Sequence, residues 1–84
     1  MKIQISNSSI KRCKTKFDYK GIGKVINRAC NLFEKIDVEV IISECIYDTD
    51  DPMIYNVLLY LIRENCTDKK ILDELSELNY EMEN

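Results

Sequence analysis

Apolar and polar positions alternate at the start of the chain, with Ile3 and Ile5 set between polar neighbours from Lys2 to Ser6. Asn7, Ser8 and Ser9 then supply a turn signal, and Ile10 to Phe17 can return as a second strand, so this segment predicts a β-hairpin. From Ile22 the period changes. Ile22, Val25, Ile26, Ala29, Cys30, Phe33 and Ile36 follow the i, i+3, i+4, i+7 spacing of one helix face, which predicts a helix over 20–36 with Asp18 as its N-cap. Val38 to Tyr47 is rich in β-branched residues, with Val38, Val40, Ile42 and Ile46 on one face of an extended chain and Ile41, Cys45 and Tyr47 on the other. A strand apolar on both faces is expected at the centre of a sheet.

The run Asp48 to Pro52 ends that strand and starts a helix, Asp51 serving as N-cap and Pro52 as the first helical residue. The helix predicted over 52–65 is apolar nearly all round, and a short chain has little material to cover it. Tyr55, Leu59 and Tyr60 on its surface are therefore candidate interface residues, toward a partner or a second copy of the chain in a homodimer. A third helix, capped by Thr67 or Asp68, carries Ile71, Leu72, Leu75, Leu78 and Met82 on one face, with Asp73, Glu74, Glu77, Glu81 and Glu83 toward water. The short connection from Asn65 to Thr67 predicts that these two helices form an antiparallel hairpin. The predicted order is ββαβαα: an α+β fold in which a hairpin, a helix, a central strand and two C-terminal helices build on a small sheet.

At 84 residues, with 45% apolar and 32% charged positions, the chain is expected to form a single domain over residues 1–84 and to be marginal in stability by itself. No stretch reaches the roughly 18–20 apolar residues of a membrane span, and Lys11, Arg12, Lys14 and Lys16 interrupt any signal-peptide core, so a cytoplasmic location is expected. There is no histidine, and Cys13, Cys30, Cys45 and Cys66 form no CxxC pair. Zinc binding, dithiol redox chemistry and Ser-His or Cys-His catalysis are poor fits, and no catalytic residue, metal or cofactor is expected.

Charge is sorted along the chain. Residues 1–28 hold eight basic residues and one acidic residue, and residues 29–84 hold four basic and fourteen acidic ones. Lys20, Lys24 and Arg28 recur every four residues as a basic stripe, which Lys11, Arg12, Lys14 and Lys16 could extend from the preceding strand. Such a stripe suits phosphate contacts to a nucleic acid or a nucleotide, and it more commonly marks a solvated helix face whose cations offset the acidic helices of the same chain. Glu44, Asp48, Asp50 and Asp51 cluster at the end of the predicted central strand and are the acidic candidate for partner binding. Without a glycine-spaced calcium loop, that cluster is read as a docking surface rather than a metal site.

Both glycines fall in Lys20-Gly21-Ile22-Gly23-Lys24, at the start of the first predicted helix. Glycine there would let a phosphate approach the positive end of a helix dipole. With the segments DVEVIISECIY and DPMIYNVLLYL that follow, residues 18–62 resemble the second half of a GCN5-related N-acetyltransferase. That resemblance implies pyrophosphate contacts to acetyl-CoA at Gly21 and Gly23 and a general-acid role for Tyr60. Asp18 stands where the family motif has Gln or Arg, and only a short segment precedes the motif. The small size, net charge of −3 and high Ile, Asn and Lys usage also resemble, in composition alone, small phage-encoded inhibitors such as anti-CRISPR proteins. The leading expectation is a noncatalytic protein-binding module that inhibits or modulates a larger host protein, one that itself handles nucleic acid among the candidates. The alternatives are an acetyl-CoA-binding fragment and a nucleic-acid-binding protein that uses the basic stripe.

Overall fold

Ser6 caps a helix. Its backbone is extended (φ −76°, ψ 150°) and its Oγ accepts a hydrogen bond from the Ser9 N–H at 3.1 Å, so the first helix, α1, runs over Asn7–Lys16. The computed structural model describes residues 2–45 and 52–83, the side chains at 44, 45, 52 and 78–83 excepted. Within them α1 is followed by α2 (Ile22–Lys35), a short α3 (Val38–Val40) that continues into a π-helical turn (Ile41–Cys45), α4 (Pro52–Asn65) and α5 (Lys69–Glu83). No strand occurs among the described residues, so the fold is helical and the expected α+β architecture is overturned.

The two predicted strand regions fail for related reasons. Serine and asparagine hydroxyls and amides mark helix caps as well as turns, and Ser6 to Ser9 do the former. Downstream, Ser9 and Cys13 are buried, and Ile10 and Phe17 are partly buried against the core, which is helical spacing. Ile3 and Ile5 belong to an unpaired N-terminal segment that lies against that core. In the Val38 region, Val38, Ile41 and Ile42 are buried while Glu39, Val40 and Ser43 face water, again the period of a helix. β-Branched residues cost a helix only about 0.5 kcal/mol each, less than the burial of one such side chain contributes. Ile46 and Tyr47, assigned to the same strand, lie outside the described residues.

α4 matches the predicted span of 52–65 and forms the centre of the fold. Val57, Leu61 and Ile62 are fully buried, and Ile54, Tyr55, Leu58 and Leu59 nearly so. α2 and α1 pack most closely on it, and the buried residues of α3, its π-turn and α5 (Val38, Ile41, Ile42, Ile71 and Leu75) join the same core. α5 starts as expected at an Asp68 cap, whose Oδ1 accepts from the Lys70 N–H at 2.9 Å. Asp51 at the start of α4, and the side chains of Leu78, Glu81, Met82 and Glu83 on α5, lie outside what is described.

α2 is entered through Gly21, at φ +93° and ψ 0°, whose carbonyl accepts from Lys24 and Val25; Asp18 is not its cap. Left-handed backbone costs an L-residue about 1–2 kcal/mol, whereas Gly23 sits in ordinary helix. A Cβ at either position would meet no atom within 4 Å, so only backbone preference separates them. Gly21→Ala should therefore lower stability by about 1–2 kcal/mol, and Gly23→Ala should raise it by about 0.5–1 kcal/mol. Urea unfolding of both variants measures this, and shifts of equal sign would contradict the conformational assignment.

Candidate functional site

The basic stripe is present and longer than its first three members indicate. Lys20 stands in the turn before Gly21, Lys24 and Arg28 lie one turn apart on α2, and Asn31 and Lys35 continue the row at spacings of three and four. All five are exposed, on the side of α2 away from its buried residues Val25, Ile26, Ala29 and Phe33. Lys20, Lys24, Arg28 and Lys35 make no ion pair with any described residue, leaving their charges available to an outside partner. Helical periodicity would have found Lys35, since it lies eleven residues, or three turns, beyond Lys24.

The basic residues before this stripe do not extend it as a strand would. They lie on α1, where Lys11 and Lys14 are exposed, and Arg12 and Lys16 turn toward α4. The Arg12 Nε donates to both carboxylate oxygens of Glu64, at 3.0 and 3.1 Å. Glu64 Oε1 also accepts from the Oγ of the fully buried Ser9 at 3.0 Å. Asn65 completes the cluster: its Nδ2 donates to Ser9 Oγ (2.9 Å) and to the Leu61 carbonyl (2.8 Å), and its Oδ1 accepts the Ser6 N–H (3.0 Å). This network joins the first turns of α1 to the last turn of α4 across more than 50 residues of chain. Sequence inspection missed it because no local pattern links Ser9 or Arg12 to residues so distant.

Charges in this cluster follow its geometry. Burial pushes the Glu64 carboxyl up, but hydrogen bonds from Arg12 and Ser9 outweigh that and hold it below its ordinary value of 4.5. The same hydrogen bond from Arg12 to Glu64 raises the guanidinium further above its usual range. Burial, followed by the Glu64 charge, raises the Tyr60 phenol.

Of the three candidate interface residues on α4, Tyr55 and Leu59 are 5% and 3% exposed and are core residues of this chain. A second copy is not needed to cover them. Tyr60 is partly buried, with its ring edge-on to Phe17 (centroids 5.7 Å apart, planes at 86°) and the Lys16 Nζ 5.8 Å from its centroid. The apolar surface that α4 offers is met inside the fold, and Val40 is the large apolar residue left exposed among the described residues. The acidic candidates are not placed: Asp48, Asp50 and Asp51, and the Glu44 side chain, lie outside the described residues.

The segment compared with the acetyltransferase strand is helical between Val38 and Cys45. Gly21 shapes the entry to α2 and Tyr60 packs between α1 and α4. Among the described residues no group of three or more acidic, cysteine or histidine side chains is arranged to hold a metal ion. Cys13, Cys30 and Cys66 are free thiols. Burial, with smaller contributions from Cys30 and Glu64, pushes the Cys13 thiol up to about 11. No described helix is long and apolar enough to cross a membrane.

Two outcomes are expected. Because folding depresses the Glu64 pKa, the stability it contributes is complete above about pH 4.5 and is lost as pH falls through the lower folded value. Glu64→Gln should thus flatten the decline in melting temperature between pH 7 and about pH 3, and parallel declines in both proteins would show that the pair adds nothing. Cys13 should resist iodoacetamide at neutral pH in the folded protein and react once urea unfolds it; peptide mapping that finds Cys13 alkylated in the native state would contradict its burial.

No protein-family model, no curated protein and no solved structure matches this chain.

Proposed function

We propose that this chain is a small noncatalytic binding module that docks on a larger protein and inhibits or modulates it. The observation that carries this is the row Lys20, Lys24, Arg28 and Lys35, exposed on one side of α2 and without an ion pair to any described residue. Little apolar surface is exposed among the described residues, so it does not drive such docking by itself. Charge remains. The exposed Asp73, Glu74 and Glu77 lie on α5, while the row on α2 is basic, so the domain presents faces of opposite sign. Faces of that kind orient an approaching partner and raise the rate of encounter, by one or more orders of magnitude at low salt.

Nucleic acid is the competing partner for a basic row, through phosphate contacts. Stacking platforms for bases are an additional mark of single-strand binders, and the row from Lys20 to Lys35 includes none. An acidic protein surface is therefore the better fit.

Affinity capture from the native host should recover one defined protein with the parent chain and lose it with the double reversal Lys20→Glu, Lys24→Glu. Reversal of acidic residues on α5, Asp73→Lys with Glu77→Lys, should retain it. An electrophoretic shift of duplex or single-stranded DNA or RNA at low salt, abolished by the same α2 reversal and unaccompanied by a captured protein, would replace the proposal with the nucleic-acid alternative.

A further inference from the structure

Where α2 passes over α4, the C-terminal half of the basic row borders a groove of about 240 Å³ lined by Arg28, Asn31, Leu32, Lys35 and Ile54. Two cations and a carboxamide come from successive turns of α2, and Leu32, partly buried, and Ile54, 3% exposed, supply an aliphatic wall and floor. No acidic side chain is among its described lining residues. Arg28 and Lys35 hold no ion pair with a described residue.

We infer that this groove is a recognition notch for a peptide segment in which an acidic residue stands beside an aliphatic one, on the surface of the larger protein. The inference deepens, and rests on, the function proposed above. Arg28 and Lys35 would flank the carboxylate, Arg28 with the planar fork that matches its two oxygens. Asn31 between them offers both a donor and an acceptor to a peptide backbone, which a phosphate, holding acceptors alone when ionised, would use only by half. The apolar neighbour of the acidic residue would sit on Leu32 and Ile54. That wall separates the candidates: it is aliphatic throughout, so it gives a leucine or isoleucine side chain a surface to bury and gives a nucleobase no ring on which to stack. A volume of about 240 Å³ accommodates one or two side chains, not a folded ligand.

The test is selection of twelve-residue peptides displayed on phage against the folded protein, followed by fluorescence anisotropy on the enriched sequences. Enriched peptides should pair Asp or Glu with Leu, Ile or Val within two positions. Their affinity should fall about tenfold or more with Asn31→Asp combined with Lys35→Glu, both surface changes whose folding circular dichroism can verify. Leu32→Glu should do the same, and Lys20→Glu with Lys24→Glu, outside the groove, should change it about threefold or less. No enrichment, enrichment without acidic residues, or affinity unmoved by the groove variants would overturn the notch. So would preferential binding of a twenty-nucleotide single-stranded DNA that these variants abolish. If the captured host protein survives Leu32→Glu and Asn31→Asp/Lys35→Glu but is lost with Lys20→Glu/Lys24→Glu, the notch fails while the function proposed above stands.

Discussion

A helix that is apolar on nearly every side cannot exist alone in water, and α4 is such a helix. Fully burying one large aliphatic side chain contributes about 1.5–3 kcal/mol, and α4 buries Ile54, Val57, Leu58, Leu59, Leu61 and Ile62 together. The rest of the chain is arranged by the need to cover it. α1 and α2 lie directly on it, and buried residues of α3, its π-turn and α5 join the same core. Each surrounding helix presents one apolar stripe inward and keeps a polar back. The charged surface is thus a consequence of the wrapping as well as of composition.

The same demand explains the polar cluster at the end of α4. Where α1 crosses the last turn of α4, Ser9 is fully buried, and a buried hydroxyl must find partners. Glu64 and Asn65 provide them, and Asn65 also takes up the N–H of the residue that caps α1. α1 is therefore held at its first turn by hydrogen bonds to α4 and at its end by Phe17 against Tyr60. Arg12 neutralises the carboxylate this arrangement requires. One of the eight basic residues in the first third of the chain is consumed internally in this way. The cations of the row on α2 have no such partner among the described residues.

Several elements were legible from residue order because their signals are local. α4 keeps its predicted span, and α2 departs by only a residue or two at each end. The basic row follows from the same period, as far as Lys35. Two helices were misread as strands. In Ile10 to Phe17, alternating lysines imitate a period of two, although the residues that are buried, Ser9 and Cys13, lie four apart. In Val38 to Cys45 the density of β-branched residues suggested a sheet, yet strand formation needs a neighbouring strand, and with Asn7 to Lys16 helical there is none among the described residues. One error thus supported the other.

The chain's own sequence determined where its long helices run, that an over-apolar helix must be enclosed, and that positive charge gathers early and negative charge late, since each depends on spacing or composition within a few turns. Only the tertiary structure decided that Tyr55 and Leu59 are core rather than interface, that Arg12 is spent on Glu64, and that Leu32 and Ile54 meet the basic row in one groove. Those outcomes join residues tens of positions apart. Chain order alone does not specify them, because they depend on which helices come together to remove α4 from water.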